Sequence, residues 1–153
     1  MRQLKIYFFQ HFYANDRSHP LSNEIYHEIS QLQKELIQHG YQCDPSWISR
    51  PLTAGETNES VLWGHSEKLA IAFQLIQQPK PSVIQIVENL RICGDCRKLF
   101  LLDFFLHTLR IHVFIDTAIK LIACIRQCSI VIHDANRIHH FDQTGNCSCN
   151  DRF

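Results

Sequence analysis

The sequence predicts an α/β domain of the α+β kind, with a central β-sheet flanked by helices and a C-terminal zinc-binding tail. Three observations lead there. Short β-branched and aromatic runs are interspersed with segments whose apolar residues recur at helical spacing. A His-x-Glu (His65, Glu67) and a Cys-x-x-Cys (Cys93, Cys96) are separated by a helix-like run and then a strand-like one. Beyond residue 134 the chain turns polar and gathers His139, His140, Cys147 and Cys149.

The 153 residues suit one domain over 1–153 with enough volume for a hydrophobic core. Lys plus Arg and Asp plus Glu number 15 each, so no strong basic field draws in a phosphate backbone, and a nucleic acid substrate, if there is one, has to be delivered by something else. Seven cysteines and ten histidines are many for this length. The odd cysteine count, with no secretory signal before it, favours metal binding in a reducing compartment over a disulfide framework. The apolar stretch 99–115 is interrupted by Asp103, His107, Arg110 and His112 and falls short of the ~20 apolar residues that a membrane span needs.

Taken in order, residues 5–13 are aromatic and β-branched enough for a strand, and residues 15–20, Asn-Asp-Arg-Ser-His-Pro, supply turn formers to end it. Residues 23–39 carry Ile25, Ile29, Leu32 and Leu36 at helical spacing, with Ser22 placed to cap the start and Gly40 to close the end. Residues 41–57 hold Pro45, Pro51 and Gly55 among polar neighbours and read as a loop able to gate a nearby site.

Residues 58–76 repeat at helical spacing through Val61, Leu62, His65, Leu69, Ala72, Phe73 and Ile76, with Gly64 inside. His65 falls on the buried stripe. In a regular helix, residues two apart point about 200° apart, so His65 and Glu67 converge only if the backbone is irregular near Gly64 or Glu67 folds back. Residues 83–88 form a β-branched strand leading towards Ile92 and Cys93. Placing the Cys-x-x-Cys at a helix start favours the thiolate that zinc requires. Residues 117–126 are a second amphipathic helix through Ile119, Ile122, Ala123 and Arg126, and residues 129–133 a short strand.

A catalytic zinc takes three protein ligands and leaves one position open. His65, Cys93 and Cys96 match that count in the ligand order of the zinc nucleobase deaminases, with Glu67 as the proton-moving group that is not a ligand. Glu67 would then take the proton of water as base, pass it to cytosine N3, and later protonate the leaving amino group as acid. Each piece alone has a plainer reading: a Cys-x-x-Cys is often a redox pair or half of a structural zinc site, and a lone histidine on an apolar helix face is usually packed core. In the tail, one of His139 and His140 with Cys147 and Cys149 approaches the ligand number of a closed structural zinc, against the alternative of a polar tail with fortuitous cysteines.

Several stretches together resemble the DYW domain, the deaminase domain of plant-type pentatricopeptide repeat (PPR) RNA-editing proteins. They are residues 15–20, His-Ser-Glu-Lys-Leu-Ala-Ile-Ala-Phe at 65–73, Asn-Leu-Arg-Ile-Cys-Gly-Asp-Cys at 89–96, Ala-Ile-Lys-Leu-Ile at 118–122, Asp-Ala-Asn-Arg-Ile-His-His-Phe at 134–141, and Cys-Ser-Cys at 147–149. The resemblance implies a cytidine-deaminase-like fold, C-to-U editing of organelle transcripts in mitochondria or plastids, and single-stranded RNA as substrate. It also implies a PPR array, in cis or in trans, that chooses the target by reading one base per repeat, along with editing-complex proteins as possible partners. It implies a catalytic zinc on His65, Cys93 and Cys96, with Glu67 as proton shuttle, and a second zinc using a tail histidine and the Cys-x-Cys.

The chain departs from the family pattern in four ways. It ends Asp-Arg-Phe (151–153) where the family ends Asp-Tyr-Trp, it lacks the preceding Pro-Gly segment and so reads as N-terminally truncated, and Arg97 stands where the family has histidine. Most conspicuously, residues 97–116 are a Leu- and Phe-rich insertion. The leading expectation is a zinc-dependent RNA cytidine deaminase, a hydrolase acting on the C–N bond of cytosine. The alternative is a catalytically inactive, zinc-stabilised docking module of an editing complex, and a free-nucleoside deaminase fits the neutral charge but not the second cluster.

Overall fold

The computed structural model describes residues 10–89 and 118–148. Element order there is α1 (Ser22–Gln38), a short 3-10 helix (Pro45–Trp47), α2 (Asn58–Trp63), α3 (Ser66–Leu75), β1 (Val83–Val87), α4 (Ala118–Arg126), β2 (Ser129–His133) and β3 (Ile138–Phe141). The strands form one sheet in the order β1-β2-β3. β1 and β2 are parallel, with Val83 opposite Ser129 and Val87 opposite His133, so a crossover containing α4 joins them; β3 returns antiparallel with Phe141 opposite Ile130.

Period-2 alternation sorts the sheet into an inner and an outer face. Ile84, Ile86, Ile130, Ile132, His139 and Phe141 are buried, whereas Val87, Ile138 and His140 are exposed. α3 packs on β1, α4 on β2 and β3, and α1 against both helices. Ile25, Ile29, Leu32 and Leu36, the predicted stripe of α1, are all buried in the resulting core. Across it, Arg126 of α4 reaches α1, with Nη2 2.8 Å from Glu28 Oε1 and Nε 3.1 Å from Glu35 Oε2.

α1 ends as Gly40 suggested. Gly40 has φ +87°, its N–H donates to Ile37 O, and that of Tyr41 donates to Leu36 O, both at 3.0 Å; this is a Schellman closure, sealed by buried Tyr41 and Leu36. The start differs from expectation. Leu21 is the N-cap and the Ser22 side chain makes no cap bond. His19 serves this end instead, its ring Nδ1 accepting from Leu21 N at 3.0 Å and its carbonyl from Ser22 N at 2.9 Å.

Three further expectations are corrected. Residues 10–13, the described part of the strand expected over 5–13, have no regular structure, and Phe12 packs on Phe73 of α3 instead; residues 5–9 lie outside the described residues. The helix expected over 58–76 is two helices, with His65 lying at the N-cap of α3 and not on a helical stripe. The segment after Asp134 is not merely a polar tail: β3 hides in it, because a strand with histidines on both faces lacks the apolar alternation that marks one. The Cys-x-x-Cys, the insertion 97–116, Cys149 and the terminal Asp-Arg-Phe lie outside the described residues.

Candidate active site

The break between α2 and α3 is built by caps on both sides. α2 begins with a capping box, Thr57 Oγ1 accepting from Ser60 N at 3.0 Å and Ser60 Oγ from Thr57 N at 2.9 Å. It ends at Gly64, whose N–H donates to Ser60 O and Val61 O. His65 then turns extended (φ −61°, ψ 141°) as the N-cap of α3, and Glu67 falls in the first turn of that helix. The chain thus supplies the irregularity that the His-x-Glu spacing requires. With His65 outside the helix, the 200° separation of a regular helix no longer applies.

Glu67 is buried, 6% exposed, and accepts a hydrogen bond from Ser66 Oγ at 3.3 Å. An acidic side chain in the first helical turn is favoured by the partially positive helix N-terminus. Lys68, next along, is fully buried; its Nζ donates to Leu62 O at 2.9 Å and sits 5.0 Å from the Trp63 ring centroid. Spacing alone did not mark Lys68 as a core residue, and its position on an otherwise apolar inner surface was the available signal.

His65 borders a cleft of about 200 Å³ shared with Ala14, Trp47, Ile48, Ser49, Arg50 and Val61. Residues 47–50 of the loop over 41–57 therefore face His65 across this cleft. The loop is braced internally. Arg50 grips Glu56 through two parallel hydrogen bonds of 2.7 and 2.8 Å, Thr53 N adds a third at 2.8 Å, and this holds the Glu56 carboxyl well below the usual carboxylate range.

At the other cluster, a turn built on Asp142 folds the chain back along β3. Its Oδ1 accepts from Thr144 N, Thr144 Oγ1 and Asn146 N at 2.8, 2.6 and 3.0 Å, and Gly145 takes φ +84°. Cys147 returns beside Phe141, which brings its Sγ to 3.8 Å from His139 Nδ1. His139 Nε2 lies 3.1 Å from Asp134 Oδ2. His140 points to the opposite, exposed side of β3. The structure thus joins His139 with Cys147 and separates His140 from them.

Among the described residues no three metal-binding side chains come together, while Cys93, Cys96 and Cys149 fall outside them. The donors that are described suit zinc chemically: an imidazole at a chain break beside a cleft, and an imidazole with one nitrogen on a carboxylate and the other facing sulfur, the arrangement that orients a histidine ligand.

No helix among the described residues is long and apolar enough to cross a membrane. The DYW family of nucleic acid deaminases matches residues 40–104 and 104–153, and the E+ motif matches residues 10–36. A pentatricopeptide repeat-containing protein of Arabidopsis thaliana is 44% identical over 140 residues, 92% of this chain and 14% of that protein. Two others from the same plant, both named chloroplastic, are 37% identical over 141 residues and 35% over 143, each over 92% of this chain and over 12% and 14% of their own lengths. The chain therefore spans about a seventh or less of these relatives. The match brings a cytidine-deaminase-like fold, in keeping with the mixed α/β sheet and its flanking helices. With the His-x-Glu at its helix break and the family match running from residue 40 to 153, the chain belongs to the DYW family of nucleic acid deaminases.

Proposed function

We propose that the chain is one DYW-type domain over residues 1–153 that deaminates cytidine to uridine in single-stranded RNA, as part of C-to-U editing in mitochondria or plastids. A PPR array, in cis or in trans, would select the target, since the neutral charge balance of the domain gives it little hold of its own on a phosphate backbone. The observation that carries this reading is the α2–α3 break, which sets His65 at a helix N-cap beside a cleft and buries Glu67 in the first turn of α3.

His65, Cys93 and Cys96 would hold a catalytic zinc, and His139, Cys147 and Cys149 a second, structural one. The catalytic ion supplies Lewis acidity that lowers the pKa of water to about 7. Glu67 takes one proton from water and delivers it to cytosine N3 as the water oxygen bonds to C4; it then takes the remaining proton from the C4 hydroxyl and gives it to the amino group as the C4–N bond breaks, so cytosine and water become uracil and ammonia. Burial of Glu67 keeps this shuttle out of bulk solvent. The loop over 41–57 limits access from the cleft side.

A second reading rests on the family match dividing at residue 104, inside the apolar stretch 97–116. If that stretch is an insertion that spoils the pocket, the domain keeps its fold and serves as a docking module. One assay separates the two. The chain and its Glu67→Gln variant are incubated with a cytidine-containing single-stranded RNA, with and without a PPR array bound to it, and uridine is counted by sequencing. Uridine from the wild type alone supports the deaminase; none from either, with zinc and fold retained, supports the docking module.

A further inference from the structure

The Asn-Asp-Arg-Ser-His-Pro run over 15–20 lies far from the His-x-Glu in sequence but against it in space. Asn15 N donates to Gly64 O at 2.7 Å. A Cβ on Gly64 would fall 1.8 Å from Asn15 Oδ1 and 2.7 Å from Asn15 Cγ. Gly64 itself has φ −84° and ψ 6°, a conformation open to any residue, so what glycine accommodates here is the close approach of the Asn15 side chain, with Ser60 O next at 3.1 Å, and not backbone freedom. Asn15 takes the unusual conformation: its φ is +58°, in the left-handed region that asparagine tolerates better than most residues.

The segment is fastened on both sides of this contact. Asp16 closes a local turn by accepting from Ser18 N at 2.8 Å, and hydrogen bonds from the Ser18 side chain and then its backbone N–H lower the Asp16 carboxyl pKa. Tyr26 of α1 donates its hydroxyl to Asp16 O at 3.1 Å, and the Arg17 guanidinium lies 3.9 Å over the Tyr26 ring. Two turns along α3 from its start, Phe73 meets His19 and Phe12 at ring-centroid distances of 5.0 and 5.5 Å. The segment therefore crosses α3 with one end on Phe73 and the other on the residue before His65.

We propose that Asn15 is a positioning residue for His65 and Glu67: by filling the space over Gly64 and bonding its carbonyl, it fixes the α2–α3 break from which both side chains project. This rests on the assignment of His65 and Glu67 to the active site. It makes the E+ segment, matched over 10–36, a working part of the deaminase unit.

The test is a suppressor cycle in the 153-residue chain: Gly64→Ala, Asn15→Gly, the double variant and Leu32→Ala as a control. One readout is amide exchange over residues 64–69, which needs no metal; the other is the part of the cobalt(II) ligand-field absorption that is lost in Cys93→Ala, which isolates the His65 site from the tail cluster. Asn15→Gly alone, which empties the space over Gly64, is expected to speed exchange, and a silent Asn15→Gly overturns the positioning role; Gly64→Ala speeds exchange about tenfold and shifts the cobalt bands, while the double variant falls back to the level of Asn15→Gly alone, the non-additivity of groups in contact. Leu32→Ala lowers stability without moving the bands. If Gly64→Ala does not fold, folding of the double variant is itself the suppression. A silent Gly64→Ala, or a double variant no better than it, overturns the proposal. Wild type without cobalt bands, but with the expected exchange pattern, counts against metal at His65 and leaves the clamp standing.

Discussion

His139 Nε2 and Asp134 Oδ2 lie 3.1 Å apart, with the side chains 0% and 1% exposed. The other ring nitrogen, Nδ1, faces Cys147 Sγ at 3.8 Å. At the proposed second zinc site, Asp134 would orient the ring and Nδ1 would face the metal.

Asp134→Asn is therefore expected to weaken metal binding at the tail cluster by about 10- to 100-fold, as loss of an orienting carboxylate does elsewhere. A chelator competition titration reads this directly. His140→Ala, on the exposed face of β3, leaves the affinity within about twofold, since it removes neither a ligand nor its orienting partner. Equal losses in the two variants would place the ligand elsewhere.

Lys68 ties the two halves of the broken helix together through its bond to Leu62 O. In Lys68→Met the apolar stem is kept but a buried carbonyl loses its donor, at an expected cost of about 1–3 kcal/mol. Urea denaturation midpoints check it; a change within about 0.5 kcal/mol, the range of ordinary surface substitutions, would mean the bond is replaceable.

The Arg50–Glu56 pair gives the cleft loop a pH signature. Because Arg50 lowers the Glu56 carboxyl pKa in the folded chain, its stabilising effect is present above the unfolded carboxylate pKa of about 4.3 and is lost as pH falls through the folded value. Wild type and Glu56→Gln should therefore differ in loop protection, read by amide exchange over 50–57, at pH 7. That difference should shrink steadily below about pH 4. A difference that grows with acidity would contradict the ion pair as its source.

Much of this architecture was legible because α1 and α4 each show a clear apolar stripe and β2 a compact β-branched run. Gly64 within a helical pattern announced the break, although the cap position of His65 depended on the capping box at Thr57 and the turn at Gly64, which apolar periodicity does not register. β3 was obscured because His139 is buried by pairing with Asp134 and Cys147, so a polar residue occupies an inward position. Asn15 carried no local sign of its role. That role exists only because the fold brings its side chain over Gly64, a contact to which no short-range pattern corresponds.

The most direct test of the two-metal deaminase is zinc per chain, measured on purified wild type, Cys93→Ala and Cys147→Ala. About two zincs in the wild type, falling to about one in each variant, are expected from one open and one closed tetrahedral site. A single zinc lost only with Cys147→Ala would contradict a catalytic centre at His65, Cys93 and Cys96 and leave the docking module as the function of the chain.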